Sequence, residues 1–573
     1  MLRLLLLLFV APVALAKVPP NVIVFLSDDQ GWGDLSQSGN LDLKTPHIDS
    51  LAREGASFDA FFVCPVCSPT RAEFLTGRYH LRSGVWSTSS GGERMNLDET
   101  TIADLFRNAG YRTGAFGKWH NGTQYPYHPN GRGFDEFYGF CSGHWGHYFS
   151  PFLEHNGLVV RGEGFCADDF TTKAIEFMEA SHQEGKPFFA YLPYNIPHSP
   201  MQVPEKDWVR FRAKELRMVE PSDHTRCALA MCENLDKNVG RVLSKLEQLE
   251  LSEQTIVVWF HDNGPNGPRW NGELKGRKGS VDEGGCRSPL FIKWPQTIRQ
   301  GVVITQIASA RDLLPTLCEL AGITQRPSKP LDGKSLVPLL KNPKAQWEDR
   351  VQINTWRGKV AVRSETHLLG GDGKLYDMKV DRSQRHPIEN KAVYQRLQKV
   401  RQSFQNEFDG KVGRQHEKRS FVIAHPGSLY TQLPARDATC SGEIRRSNKF
   451  PNDSFFLNWT RTEDKISWDV ESAGEGEFAV KLFYTSSSAG AKCRLGFKGN
   501  LLDFRIPKAH DVPLRGMEHD RSQRMESYTK DWKEIEVGVI RLVKGRGILT
   551  LEATEIPGSE VMEFRLMTLR RIL

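Results

Sequence analysis

The sequence predicts an α/β fold with a mostly parallel central sheet and flanking helices. A small antiparallel closing subdomain and a C-terminal all-β sandwich follow it. Three observations carry that expectation. Short apolar runs rich in β-branched and aromatic residues, such as Asn21-Val22-Ile23-Val24-Phe25-Leu26, read as strands buried on both faces. Between them lie segments with apolar residues at steps of three or four, the alternation of strand and helix that builds a parallel sheet. Beyond residue 419 strand-like runs separated by turn residues take over.

Taken in order, residues 1–16 read as a secretory signal peptide. Arg3 supplies the positive start, Leu4 to Val10 the apolar stretch and Ala14-Leu15-Ala16 the small-x-small cleavage site. That run is too short to span a bilayer, and no later run reaches about eighteen apolar residues. The mature chain is therefore expected to be secreted or periplasmic, with no membrane span. Residues 17–345 read as the α/β domain. Its further strands are Arg112 to Phe116, Pro187 to Leu192 and Thr255 to Phe260. Its helices are Thr101 to Asn108, Phe170 to Ala180, Cys227 to Leu249 and Ala310 to Ala321. Residues 346–410 form the closing subdomain, with alternating segments from Val351 to Tyr376 and a helix from Asn390 to Phe408. Gly410 to Lys418 is polar and basic, a linker. Residues 419–573 make the sandwich, including runs at 455–459, 465–470, 477–484, 492–497, 533–542 and 547–551. A chain of 573 residues exceeds one hydrophobic core, so several domains are expected.

Composition is that of an ordinary globular protein, 39% apolar and 25% charged. The net charge of +7 comes without a long Lys/Arg run, which argues against nucleic acid and mildly favours anionic ligands. Ten cysteines are sparse for a disulfide scaffold of this length, though an exported protein can form disulfides. Cys64 and Cys67 form a C-x-x-C, but Cys227 and Cys232 have the wrong spacing to complete a zinc ribbon. Asn121, Asn452 and Asn458 match the glycosylation acceptor pattern.

The chemistry gathers just past the strand ends, where ligand sites of α/β sheets lie. The first strand runs into Ser27-Asp28-Asp29-Gln30-Gly31-Trp32-Gly33-Asp34, and the others into Gly117-Lys118-Trp119-His120, Asn195-Ile196-Pro197-His198 and His261-Asp262-Asn263-Gly264. Asp28, Asp29, Asp262 and Asn263 are hard oxygen ligands suited to calcium or magnesium. One such turn is ordinarily just solvated; two of them, each ending a buried strand, favour a metal. Adjacent strand residues point to opposite faces, so both carboxylates can meet one ion only after the chain has turned, a freedom Gly31 and Gly33 are expected to supply. Arg71, Lys118, His120, His198 and Lys278 add cationic or proton-transferring groups that call for an anion. Cys67, in Cys67-Ser68-Pro69-Thr70-Arg71, precedes a helix-like stretch from Ala72 to Arg78. Helix start and cation together predict a lowered thiol pKa and a nucleophile. The ordinary use of a lone cysteine is as a small buried hydrophobe.

These motifs come in a fixed order: Asp28-Asp29-x-Gly31-x-Gly33-Asp34, Cys67-x-Pro69-Thr70-Arg71, Gly117-Lys118-Trp119-His120, Pro197-His198, Asp262-Asn263-Gly264, and Lys278-Gly279 with Glu283-Gly284-Gly285. From Asn21 to Phe408 the chain resembles the sulfatase family, arylsulfatase-like and formylglycine-dependent, of the alkaline phosphatase superfamily. The resemblance implies that a separate formylglycine-generating enzyme oxidises Cys67. It implies that Asp28, Asp29, Asp262 and Asn263, with an oxygen of modified Cys67, bind one calcium ion. Arg71 and Lys118 would hold the formylglycine hydrate, His120 would stay near its hydroxyl, and Lys278 and His198 would grip the sulfate and serve the leaving group. Lys275 lies close in sequence, but the spacing to Glu283-Gly284-Gly285 selects Lys278. In the reaction so implied one hydroxyl of the hydrate attacks sulfur, and the second lets the ester collapse. An exported location and an extra β module point to a sulfated carbohydrate. Two other readings compete: a phosphate or phosphonate monoester hydrolase of the same superfamily, and a sulfated-glycan binder in which Cys67 stays unmodified. The sequence departs from the family at Asn121-Gly122. The aromatic loop from Tyr125 to His147 offers Ser142, His144 and His147 as candidates to line the cleft.

Overall fold

The computed structural model describes residues 19–295, 297–408 and 419–573. The expected signal peptide and linker lie outside the described residues.

An eleven-stranded sheet forms the centre of the α/β part. Its main strands are β1 (Asn21–Ser27), β2 (Ala56–Phe62), β3 (Arg112–Lys118), β4 (Glu136–Phe140), β5 (Phe188–Pro193), β6 (Thr255–His261) and β7 (Arg287–Lys293). The five neighbours β6-β1-β5-β3-β4 are all parallel. Antiparallel pairs appear only outside them: β7 lies between β6 and β2, and a hairpin of Phe152–His155 and Leu158–Arg161 extends β4. Every residue of β1 is buried, and its alternating side chains explain why the run is continuously apolar. Val22, Val24 and Leu26 face a cluster that includes the helices Ile102–Asn108 and Leu313–Leu320. Ile23 and Phe25 face the opposite cluster, closed by the helices Cys166–Gln183 and Asp223–Gln248. Burying each such side chain stabilises the sheet by about 1.5–3 kcal/mol. The sheet is thereby rigid where its carboxyl ends present the polar loops.

One helix departs from expectation. The stretch read as helical from Ala72 begins at Cys67 itself; this helix, α1 (Cys67–Thr76), is buried throughout. Pro69 is tolerated because the first turn has no intrahelical partner for its missing N–H. Thr70 ties the turn down: its hydroxyl accepts from the Cys64 amide at 2.8 Å and donates to the Asp262 carbonyl at 2.6 Å.

A four-stranded antiparallel sheet (Gln352–Trp356, Lys359–Arg363, His367–Leu369, Leu375–Asp377) follows, and the helix Lys391–Phe408 buries Leu397 and Phe404 against it. The C-terminal region consists chiefly of two six-stranded sheets around a core holding Trp459 and Trp468. The strand Glu563–Arg571, which the sequence did not single out, pairs with both Gly476–Thr485 and Tyr430–Pro434. This sandwich lies directly on the α/β part. The Arg436 guanidinium donates to the Thr123 hydroxyl at 2.5 Å, Arg161 pairs with Asp531 at 2.6 Å, and Phe152 packs edge-on against Phe483. All ten cysteines are described and all are free thiols. Among the described residues no helix is long and apolar enough to cross a membrane.

Candidate active site

Sheet register brings the two acidic motifs together. Ser27 on β1 is level with His261 on β6, so Asp28 and Asp262 leave the sheet side by side, and the Asp262 amide donates to the Ser27 carbonyl at 3.0 Å. The turn that frees both carboxylates is at Asp29, whose φ is +63°. Gly31 and Gly33 serve differently from expectation. A Cβ on Gly31 would stand 2.8 Å from the Pro265 ring, and one on Gly33 2.5 Å from the Trp270 carbonyl. They are needed for close approach of the two loops. The Asp29 amide then donates to Asp262 Oδ1 at 3.2 Å, and the Asn263 amide group to Asp29 Oδ1 at 2.9 Å. Cys67 Sγ and carboxylate oxygens of Asp28 and Asp262 all lie within 4.8 Å of one another.

Four cationic or protonatable groups surround this acidic centre. Lys118 Nζ is 2.5 Å from Asp28 Oδ2, Arg71 Nη2 is 2.9 Å from Asp262 Oδ2, Lys278 Nζ is 2.6 Å from Asp29 Oδ1, and His198 Nε2 is 3.7 Å from Asp29 Oδ2. Burial works to raise the Asp28 carboxyl, but Lys118, His198, Arg71 and Lys278 outweigh it and hold it far below the usual range. Asp262 goes the other way, pushed up to about 7 by burial and by the Asp28 charge beside it. Asp29 holds the Lys278 ammonium above its ordinary value against the effect of burial. The Cys67 thiol departs from the expected depression. Burial raises it, and the attraction of Lys118 and Lys278 is offset by the nearby Asp28 and Asp262 charges.

Neighbouring groups fix the rest. A backbone carbonyl only accepts, so the 2.7 Å contact between His198 Nδ1 and the Ser199 carbonyl places the proton on Nδ1 and leaves Nε2 facing Asp29. The Tyr148 hydroxyl lies 2.9 Å from the same carbonyl. His120 sits 2.8 Å from the Thr88 carbonyl through Nε2, while its Nδ1 is buried without a partner. Asn121, where the sequence departs from its resemblance, is fully buried and donates to the Ser68 hydroxyl at 3.1 Å and the Glu93 carbonyl at 3.0 Å. It anchors the first turn of α1 and is closed to glycosylation. Lys275 turns away to Asp372 at 3.1 Å. Of the loop candidates, His144 stays near the centre, its ring 5.8 Å from that of His198. Ser142 accepts from Arg436 of the sandwich at 3.2 Å, and the His147 ring lies 5.3 Å from that of His519 of the sandwich.

The sandwich also supplies a residue that sequence reasoning missed. The Ser199 hydroxyl donates to Glu526 Oε1 at 2.5 Å. Burial opposes ionisation of Glu526, but His144 and then His198 hold its carboxyl down at about 2. Its charge opposes the effect of burial, which lowers both imidazoles, His144 to about 3. It lies 327 positions from Ser199 in an unremarkable polar loop, and no local pattern marks it. Replacing it, Glu526→Gln, is expected to lower kcat on a sulfate ester about 10-fold, part of the 10²–10⁴-fold that acid–base groups contribute, and to lower Tm modestly, because a carboxyl held down in the folded chain stabilises it at neutral pH. Unaltered kcat across the pH profile would show that this carboxylate leaves the imidazoles alone.

The donor set fits a hard divalent ion. The oxygens come from three carboxylates and an amide, and Asp28 Oδ1 and Asn263 Oδ1 are buried and take no hydrogen bond.

Comparison with known proteins agrees with this geometry. The family model "Sulfatase" matches residues 20–323. N-acetylgalactosamine-6-sulfatase of Mus musculus is 32% identical over 381 residues, covering 61% of this chain and 70% of the mouse one. An uncharacterised sulfatase of Escherichia coli, YdeN, is 31% identical, covering 57% and 67%. Among solved structures, Ps i-CgsB in complex with k-i-k-neocarrahexaose superposes with a TM-score of 0.62 at 30% identity, over 67% of this chain and 92% of the other. The chain belongs to the sulfatase family. More particularly, it is a sulfuric ester hydrolase with an alkaline phosphatase-like fold.

Proposed function

We propose that this chain is an exported, calcium-dependent sulfatase that removes sulfate from a carbohydrate, using a formylglycine made from Cys67. The observation that carries the reading is the position of Cys67 Sγ, within 4.8 Å of the Asp28 and Asp262 carboxylates and buried among Lys118, Arg71 and Lys278. Asp28, Asp29, Asp262 and Asn263 would hold the calcium, which supplies positive charge against the reacting oxygens. A formylglycine-generating enzyme would have to act on Cys67 before α1 closes around it, since the folded side chain is buried. Modified in this way, Cys67 supplies the hydrated aldehyde as nucleophile.

The remaining roles belong to the chain's own side chains. Lys118 and Arg71 hold negative charge at the Cys67 position, and Lys278 holds it on the sulfuryl oxygens. His198, with Nδ1 fixed on the Ser199 carbonyl, presents Nε2 to the departing oxygen and would deliver a proton there from its imidazolium form, which burial opposes and Asp29 and Asp28 favour. Burial of Lys118, Arg71 and His198 strengthens their interactions, while Lys278 is only partly buried. Support for a carbohydrate comes from the relatives: the mouse protein is by name an N-acetylgalactosamine-6-sulfatase, and Ps i-CgsB was captured with a neocarrahexaose. Two measurements test the reading. The Cys67 peptide of protein from its native source should have the mass of an aldehyde residue. A panel of sulfated glycans should include one that releases sulfate. Turnover of small aryl sulfates with no glycan desulfated would remove the carbohydrate assignment.

A further inference from the structure

Away from the Cys67 centre, a second group of potential ligands spans the boundary between the α/β part and the sandwich. His147 comes from the loop that follows β4, and Glu518 and His519 come from a short turn, Met517–His519, in the sandwich. One ligand atom from each lies within 4.8 Å of the other two. His147 is only 4% exposed, and both its ring nitrogens are buried without a hydrogen-bond partner. An imidazole left unsatisfied in this way is costly unless something else engages it. His519 is held in place by stacking on Phe149, with ring centroids 4.2 Å apart. Glu518 Oε2 accepts from the Gly516 amide at 2.8 Å, which orients the carboxylate and leaves its other oxygen available.

We propose that His147, Glu518 and His519 form a zinc-type site that clamps the sandwich to the α/β part. Two imidazole nitrogens and one carboxylate oxygen are a borderline donor set. It suits zinc and its transition-metal neighbours better than calcium. The cage at Cys67, built from oxygens, has the opposite preference, so the two sites select different ions. Zinc needs donors about 2.0–2.2 Å away, which small rotations of three side chains already within reach supply. A solvent molecule fills the fourth position, because Glu518 lies at the surface. The nearby cations are engaged elsewhere: Arg524 pairs with Asp520 and donates to the Gly146 carbonyl, and Arg515 lies 3.6 Å from Asp531. The clamp has a functional consequence. His147 lies three residues beyond His144, and His519 seven residues before Glu526, so the ion ties together the two segments that meet at His198.

The test uses full-length protein, stripped with a chelator, reloaded with calcium and equilibrated with zinc chloride at micromolar free zinc. Wild-type protein should retain one zinc per chain by elemental analysis, and zinc should raise its Tm by several degrees. Glu518→Gln changes an exposed side chain and should match wild-type Tm without zinc, whereas His519→Gln also loses the Phe149 stack and is compared with its own zinc-free Tm. They should lose both the bound zinc and the zinc-dependent rise. Wild-type protein that binds no zinc overturns the proposal. So does equal zinc binding by wild type and His519→Gln, which would place the ion elsewhere.

Discussion

Cys67→Ala should abolish sulfate-ester turnover, lowering kcat by at least about 10⁴-fold, the scale on which removing a nucleophile acts when its partners work as a unit. The same change should leave the fold intact. Cys67 is the first residue of α1, and alanine is the best helix former. The lost sulfur leaves a small cavity, worth about 1 kcal/mol. Steady-state kinetics on an aryl sulfate and a thermal melt check both halves. Retention of wild-type kcat would sink the nucleophile assignment, and a collapsed melt would show a mainly structural cysteine.

Asp262→Ala should weaken calcium binding about 100-fold, by removing one of three carboxylates from a hard-oxygen cage, and turnover should fall with it. Its effect on stability is decided by two opposed terms. Arg71 is fully buried and loses its 2.9 Å partner, and stranding a buried charge costs about 3–5 kcal/mol. Asp28 remains 3.8 Å from the same guanidinium and is relieved of its repulsion with Asp262, so much of that cost is recovered. A net loss of about 1–3 kcal/mol is expected. Asp262→Asn keeps the side-chain volume and should recover Tm without recovering calcium. Calorimetric titration with calcium separates the outcomes: wild-type affinity in both variants would remove Asp262 from the metal site.

Much of this centre was legible because strands buried on both faces leave a continuous apolar signal, and their ends are therefore easy to find. Asp28 and Asp262 could be placed at neighbouring ends without knowing that Ser27 and His261 share a register. The positive φ of Asp29 could not be read, since nothing in a side chain announces a backbone torsion, and two nearby glycines drew attention instead. The thiol of Cys67 was misjudged for a related reason. The cations beside it were visible in the motif, but its burial and the equally close carboxylates are properties of the assembled site. Glu526 and Arg436 escaped altogether. Their partners are about 300 residues away, and a contact made at that range imposes no periodicity on the segments that make it.

The C-terminal sandwich supplies hydrogen bonds or charge to Thr88, Thr123, Gly146 and Ser199, all in loops around the Cys67 centre. A chain ending after residue 408 would leave those loops with one flank open to water and without Glu526. No minimal catalytic core can therefore be cut from this protein without redrawing the walls of its cleft.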